Sequence, residues 1–138
     1  IVRGLERVAA SGARTLITLV ERATLARYDV PDYGDLVRDA GLDWRHLPIA
    51  DFSTPDAGFM AAWREASQEL HRRLDDGETI AIHCRAGLGR TGTVAALILI
   101  ERGLTPEEAI RQVRRSRPGT IETDAQQAWV NGYRGQRA

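Results

Sequence analysis

The segment Thr79-Ile80-Ala81-Ile82 runs into His83-Cys84-Arg85-Ala86-Gly87-Leu88-Gly89-Arg90-Thr91-Gly92, which opens onto the strongly apolar stretch Val94 to Ile100. The first segment reads as a buried strand and the last as a buried helix. The chain must therefore turn sharply between them, and Gly87 and Gly89 supply the backbone freedom for that turn. A strand feeding a buried helix through a short loop is half of a parallel crossover.

The rest of the chain repeats this alternation. Thr15 to Val20 is apolar and β-branched and reads as a second buried strand, with a short helix at Ala23 to Arg27 after it. Tyr28 to Gly34 reads as a turn, Leu36 to Ala40 as a short helix ending at Gly41, and Asp43 to Leu47 as a strand stopped by Pro48. Thr54-Pro55-Asp56 predicts a helix start with Thr54 as N-cap and Pro55 at the first helical position. Phe59, Met60, Trp63, Ala66, Leu70 and Leu74 then mark one buried face of a helix ending near Asp75, with Gly77 after it. Thr105-Pro106-Glu107-Glu108 is a capping box that starts a helix to about Arg115, and Thr123 to Tyr133 reads as the last helix. Strands alternating with helices predict an α/β domain with a mainly parallel sheet covered on both faces.

The chain's 138 residues make one domain of ordinary size, and 43% hydrophobic residues can build a core. The net charge is zero, which favours neither nucleic acid nor an anionic membrane as a general partner. All 19 basic residues are arginine, which suggests a GC-rich bacterial genome. One cysteine cannot form an internal disulfide, so a reducing, cytoplasmic setting is expected. No apolar stretch reaches the ~20 residues needed to span a bilayer. The chain opens on Ile1 rather than Met, which predicts a missing N-terminal segment.

The loop itself specifies chemistry. Backbone N–H groups of Arg85, Ala86, Gly87, Leu88 and Gly89 can curl inward as a nest for a tetrahedral oxyanion, reinforced by the partial positive charge of the helix N-terminus. Arg90 can grip two oxygens of that anion. A thiol at a helix N-terminus beside a cation is favoured as its thiolate, so Cys84 would lie under the bound phosphorus as a nucleophile. A buried structural thiol would leave the glycines and Arg90 unexplained.

The string His83-Cys84-Arg85-Ala86-Gly87-Leu88-Gly89-Arg90-Thr91-Gly92 resembles the phosphate-binding loop of the cysteine-dependent protein tyrosine and dual-specificity phosphatases. Trp44-Arg45-His46-Leu47-Pro48-Ile49-Ala50-Asp51 with Thr54-Pro55-Asp56 is similar to the acid-loop region of the kinase-associated phosphatases, the cyclin-dependent kinase inhibitor 3 type. Arg117-Pro118-Gly119-Thr120-Ile121-Glu122-Thr123 with Gln126 resembles the same group's downstream segment. The resemblance covers most of the chain and implies a single phosphatase domain over residues 1–138. Its implied fold is a twisted, mainly parallel sheet of about four to five strands flanked by helices.

The resemblance also implies roles. Cys84 attacks phosphorus, while Arg90 and the loop from Arg85 to Arg90 bind the phosphoryl oxygens. Asp51 protonates the leaving oxygen and then serves as base toward water. Thr91 donates to the Cys84 sulfur, and His83 orients the loop. Gln126 has two readings, a water-positioning residue and a capping-box partner of Thr123. Asp56 competes with Asp51 as the acid, although it also suits a helix first turn. His46 and His71 read as surface or half-buried residues without chemistry, and Trp63 as core. No metal or other cofactor is called for, because arginine and amides supply the positive charge.

Arg85 and a chain too short for extra pocket-deepening loops point to a shallow, basic pocket. The expected substrate is a phosphorylated protein or peptide carrying phosphotyrosine and also phosphoserine or phosphothreonine, handled by a monomer. Phosphoinositides or small phosphorylated metabolites are the alternative substrates, and a phosphate-binding pseudophosphatase the alternative function. A rhodanese-like sulfur carrier does not suit Gly89-Arg90-Thr91-Gly92.

Overall fold

Residues 2–85 and 88–137 are described by the structure, a computed structural model. Three short strands carry the fold: β1 (Thr15–Thr18), β2 (Asp43–His46) and β3 (Ile80–His83). They form a parallel sheet in the order β2-β1-β3, with Thr15 opposite both Asp43 and Ile80. Helix α1 (Val2–Ala10) precedes β1, and α2 (Arg22–Arg27) and α3 (Tyr33–Asp39) cross from β1 to β2. The long helix α4 (Ala57–Asp75) crosses back to β3. Then come α5 (Gly89–Glu101), α6 (Pro106–Ser116) and α7 (Asp124–Gly132).

Alternation along β1 splits the core. Leu16 packs with Leu5, Leu25, Tyr33 and Val37 from α1, α2 and α3. Ile17 and Leu19 pack on the other side with Phe59, Trp63 and Leu70 of α4 and Val94 and Leu97 of α5. That is the two-faced burial of a parallel strand. Helix α5 is buried nearly all round, with Val94, Ala96 and Leu97 at 0% exposure. Its remaining face closes a third cluster with Ala109, Ile110 and Val113 of α6 and Val130 of α7. Leu97→Ala would therefore remove about 2–5 kcal/mol of packing.

Four expectations change. The sheet has three strands among the described residues instead of four to five. Pairing persists past the strand ends through isolated bonds, among them Leu47 N to Thr18 O, Ile49 N to Leu19 O and Leu19 N to His83 O, and the N-terminal segment is helical. Helix α4 begins at Ala57, because the carboxylate of Asp56, rather than the hydroxyl of Thr54, accepts from the Phe59 N–H at 2.8 Å. Helix α3 starts at Tyr33, inside the expected turn. His71 is buried, its Nε2 2.7 Å from Glu101. Both capping boxes form as expected, Thr105 with Glu108 and Thr123 with Gln126.

Candidate active site

Strand β3 ends at His83, so Cys84 emerges at the carboxyl edge of the sheet, directly below the start of α5. This is where an open parallel sheet presents its ligands. The Cys84 side chain is buried, and the Thr91 hydroxyl donates to its sulfur at 3.0 Å. Ala86 and Gly87, expected in the anion nest, lie outside the described residues. Leu88 and Gly89 close the loop, as N-cap and first residue of α5.

The loop is anchored from beneath and behind. The Trp44 indole N–H donates to the Thr18 hydroxyl at 2.8 Å, and that hydroxyl lies 2.8 Å from His83 Nε2. The His83 ring also donates to the Cys84 main chain; that bond takes the hydrogen of its other nitrogen, so Nε2 of the neutral ring accepts from Thr18. Burial pushes His83 down to about 4, with the Cys84 hydrogen bond opposing that fall. Behind the loop, the Ile121 N–H donates to the Leu88 carbonyl at 2.9 Å. Ile121 reaches it with φ at +60°, a costly angle for a β-branched residue. The segment also presses on α5: a Cβ on Gly92 would lie 2.9 Å from Thr120 Cβ and 3.0 Å from the Ile121 nitrogen.

Arg90 joins this loop to the segment around Asp51. It is 4% exposed, donates from Nη1 to the Ile49 carbonyl at 2.9 Å, and places Nη2 3.4 Å from Asp51 Oδ1. The Asp51 carboxylate is half exposed and also accepts from the Phe52 N–H at 3.0 Å. Asp51, Arg90, Cys84 and Thr91 thus come together. Asp56 is instead engaged at the start of α4. Arg85 turns outward, its guanidinium 5.0 Å from the centre of the exposed Tyr28 ring. Gln126 is fully buried: its side-chain oxygen accepts from the N–H groups of Glu122 and Thr123, and its nitrogen donates to the Ser53 carbonyl.

Several participants act through the main chain, namely the Ile49 and Ser53 carbonyls and the Ile121 amide. Any residue type offers those groups, so no side-chain pattern could have announced them. The arrangement sets a thiol, a guanidinium and a carboxyl group around one helix N-terminus, a set of groups that could carry out displacement at a tetrahedral oxyanion.

A family model described as "Polymorphic toxin system, DSP-PTPase phosphatase" matches residues 1–104. Cyclin-dependent kinase inhibitor 3 of Rattus norvegicus is 34% identical, over 97% of this chain and 63% of that protein. The Homo sapiens protein of the same name is 33% identical with the same coverage. The chain thus spans less than two thirds of the length of these relatives. Among solved structures, kinase associated phosphatase with its catalytic-site cysteine replaced by serine is similar at a TM-score of 0.84. Its identity is 32%, over 97% of this chain and 75% of that one. Tk-PTP in its active form has a TM-score of 0.74 and 35% identity, over 94% and 82% of the two chains.

Proposed function

The chain belongs to the dual-specificity and protein tyrosine phosphatase family, and from that membership we propose that it hydrolyses phosphomonoesters on protein side chains through a phosphocysteine intermediate. The observation that carries the reading is the Thr91 hydroxyl on the Cys84 sulfur, with Arg90 two-sided between Ile49 and Asp51.

The Cys84 thiolate attacks phosphorus in line, forming an S–P bond as the ester P–O bond breaks. Asp51, in its acid form, gives its proton to the departing oxygen. Arg90 and the loop amides hold the equatorial oxygens, where charge is greatest in the transition state. Water then attacks the phosphocysteine while Asp51, now the base, takes its proton. The sulfur leaves as thiolate, stabilised by the Thr91 hydroxyl. The substrate is a phosphorylated protein or peptide, with phosphotyrosine accepted and phosphoserine and phosphothreonine also admitted. We also assign the protein to a bacterial cytoplasm, acting as a monomer without nucleic acid or membrane. The all-arginine basic set and single cysteine support that setting, and among the described residues no helix is long and apolar enough to cross a membrane.

The test is hydrolysis of 4-nitrophenyl phosphate in chelator, followed by acid quench and mass analysis of the Cys84 peptide. Turnover with a phosphate-mass adduct on Cys84 is expected. Turnover without any adduct in Asp51→Ala, where the intermediate should accumulate, would falsify the covalent mechanism.

A further inference from the structure

We propose that Gln126 is a positioning residue that latches the acid loop against the phosphate-binding loop, so that Asp51 meets the leaving oxygen; this rests on the phosphatase reading above. Four contacts define its side-chain amide. The oxygen accepts from the N–H groups of Glu122 at 3.0 Å and Thr123 at 3.1 Å. The nitrogen donates to the Ser53 carbonyl at 3.1 Å, crossing 73 positions of sequence. On its other side lies Gly89, where an added Cβ would stand 2.9 Å from both amide heteroatoms. The side chain is at 0% exposure. The buried amide is therefore wedged between the first residue of α5 and the acid loop, its oxygen used for capping and its nitrogen for the loop.

The acid loop has few other ties. Ser53 N closes a turn onto the Ala50 carbonyl at 3.0 Å. Asp51 is half exposed and meets Arg90 at 3.4 Å. Phe52, between them, is 62% exposed and holds φ at +59°. A loop with an exposed aromatic ring and strained backbone stays folded only where its surroundings hold it. Once a phosphoryl group claims Arg90, the Arg90–Asp51 pair weakens and the Gln126–Ser53 bond remains. A buried amide with its oxygen occupied by two N–H groups and its nitrogen by a carbonyl is poorly placed to orient water.

Gln126→Glu separates the two halves of the amide: it keeps an oxygen for Glu122 and Thr123 and removes the donor to Ser53. Leaving groups separate the roles, because phenyl phosphate needs the acid far more than 4-nitrophenyl phosphate does. We expect kcat/KM to fall about fivefold to tenfold on phenyl phosphate, the worth of one hydrogen bond to the loop, and under about twofold on 4-nitrophenyl phosphate. Gln126→Ala is the structural control, since it also uncaps α7. Equal losses on both substrates would overturn the latch. So would a fall in kcat alone with kcat/KM retained, which marks attack of water on the phosphoenzyme. Hydrogen exchange reads the latch without turnover: the Ser53 amide should exchange faster in Gln126→Glu, and an unchanged rate refutes the proposal. If the parent protein hydrolyses neither ester, the phosphatase reading fails while exchange still decides the latch.

Discussion

The two ends of α5 use polar groups in opposite ways. At the N-terminal end, Arg90 and Thr91 turn toward Cys84 and a half-exposed Asp51, and the helix contributes roughly half a positive charge. In the proposed reaction an arriving anion draws Arg90 away from the exposed Asp51 carboxylate. At the C-terminal end sits Glu101, a buried carboxylate where the helix contributes roughly half a negative charge. Three donors answer it: the Trp63 indole at 2.9 Å, the Tyr133 hydroxyl at 2.5 Å and His71 Nε2 at 2.7 Å. Arg102 donates to His71 Nδ1 at 3.1 Å, which leaves the Nε2 hydrogen for Glu101. Burial, and then the bond to Glu101, push the Tyr133 phenol well above its ordinary range. One end is left open for chemistry, and the other is saturated and ties α4, α5 and the C-terminal segment together. Partial satisfaction suits a ligand site, whereas a buried network must be complete.

This contrast predicts that damage at the front costs turnover and damage at the back costs stability. Cys84→Ser has the largest expected effect, with 4-nitrophenyl phosphate hydrolysis at the buffer rate and an unchanged urea midpoint. Residual turnover would break the assignment of the nucleophile. Glu101→Leu strands the buried donors Trp63 and His71 and the half-buried Tyr133, and is expected to cost about 3–5 kcal/mol in urea unfolding, while kcat per folded molecule is kept. A matching loss of kcat would erase the distinction between the ends.

His83 tests the floor of the front end through pH. Its folded value is about 4, against 6.5 ordinarily. As pH falls below 6.5, the unfolded chain takes up a proton that the folded chain refuses, so stability is lost from about 6.5 down to about 4. The loss reaches about 3 kcal/mol at the bottom of that window. Urea titrations at pH 7, 5.5 and 4 measure it, and His83→Gln should flatten the trend. A trend of the same slope in that variant assigns it to other groups. Asp51→Asn is expected to lower kcat/KM on phenyl phosphate about a hundredfold. Asp56→Ala should leave that leaving-group dependence alone and cost about 1 kcal/mol through the α4 cap. Exchanged outcomes would make Asp56 the acid.

What could be read in advance was local. The strand, loop and helix around Cys84 show in contiguous residues, as do both capping boxes and the apolar stripe of α4. Helix α1 also carries a legible signal, since Leu5, Val8 and Ala9 recur at helical spacing and pack on one face of the sheet. Choosing between Thr54 and Asp56 as cap needed the path of the chain, because both are good caps. The pairing of His71 with Glu101 spans 30 positions, and that of Gln126 with Ser53 spans 73. Such contacts arise from tertiary packing and leave no periodic trace, so the sequence alone presents His71 as a residue without a partner. Gln126 was legible as a cap and not as a bridge, because the cap uses only its oxygen.

The bond from the Ile121 amide to the Leu88 carbonyl has one more consequence. A peptide unit can flip, exchanging the directions of its N–H and C=O for small changes in the flanking angles. In the loop above Cys84 such a flip would turn a carbonyl oxygen toward the bound anion and repel it. Ile121 ties that oxygen outward, so rotation of the Leu88–Gly89 peptide requires breaking a 2.9 Å hydrogen bond first. Under the proposed reaction, the strained residue behind the loop thus acts as a polarity lock, keeping the site receptive to negative charge between turnovers.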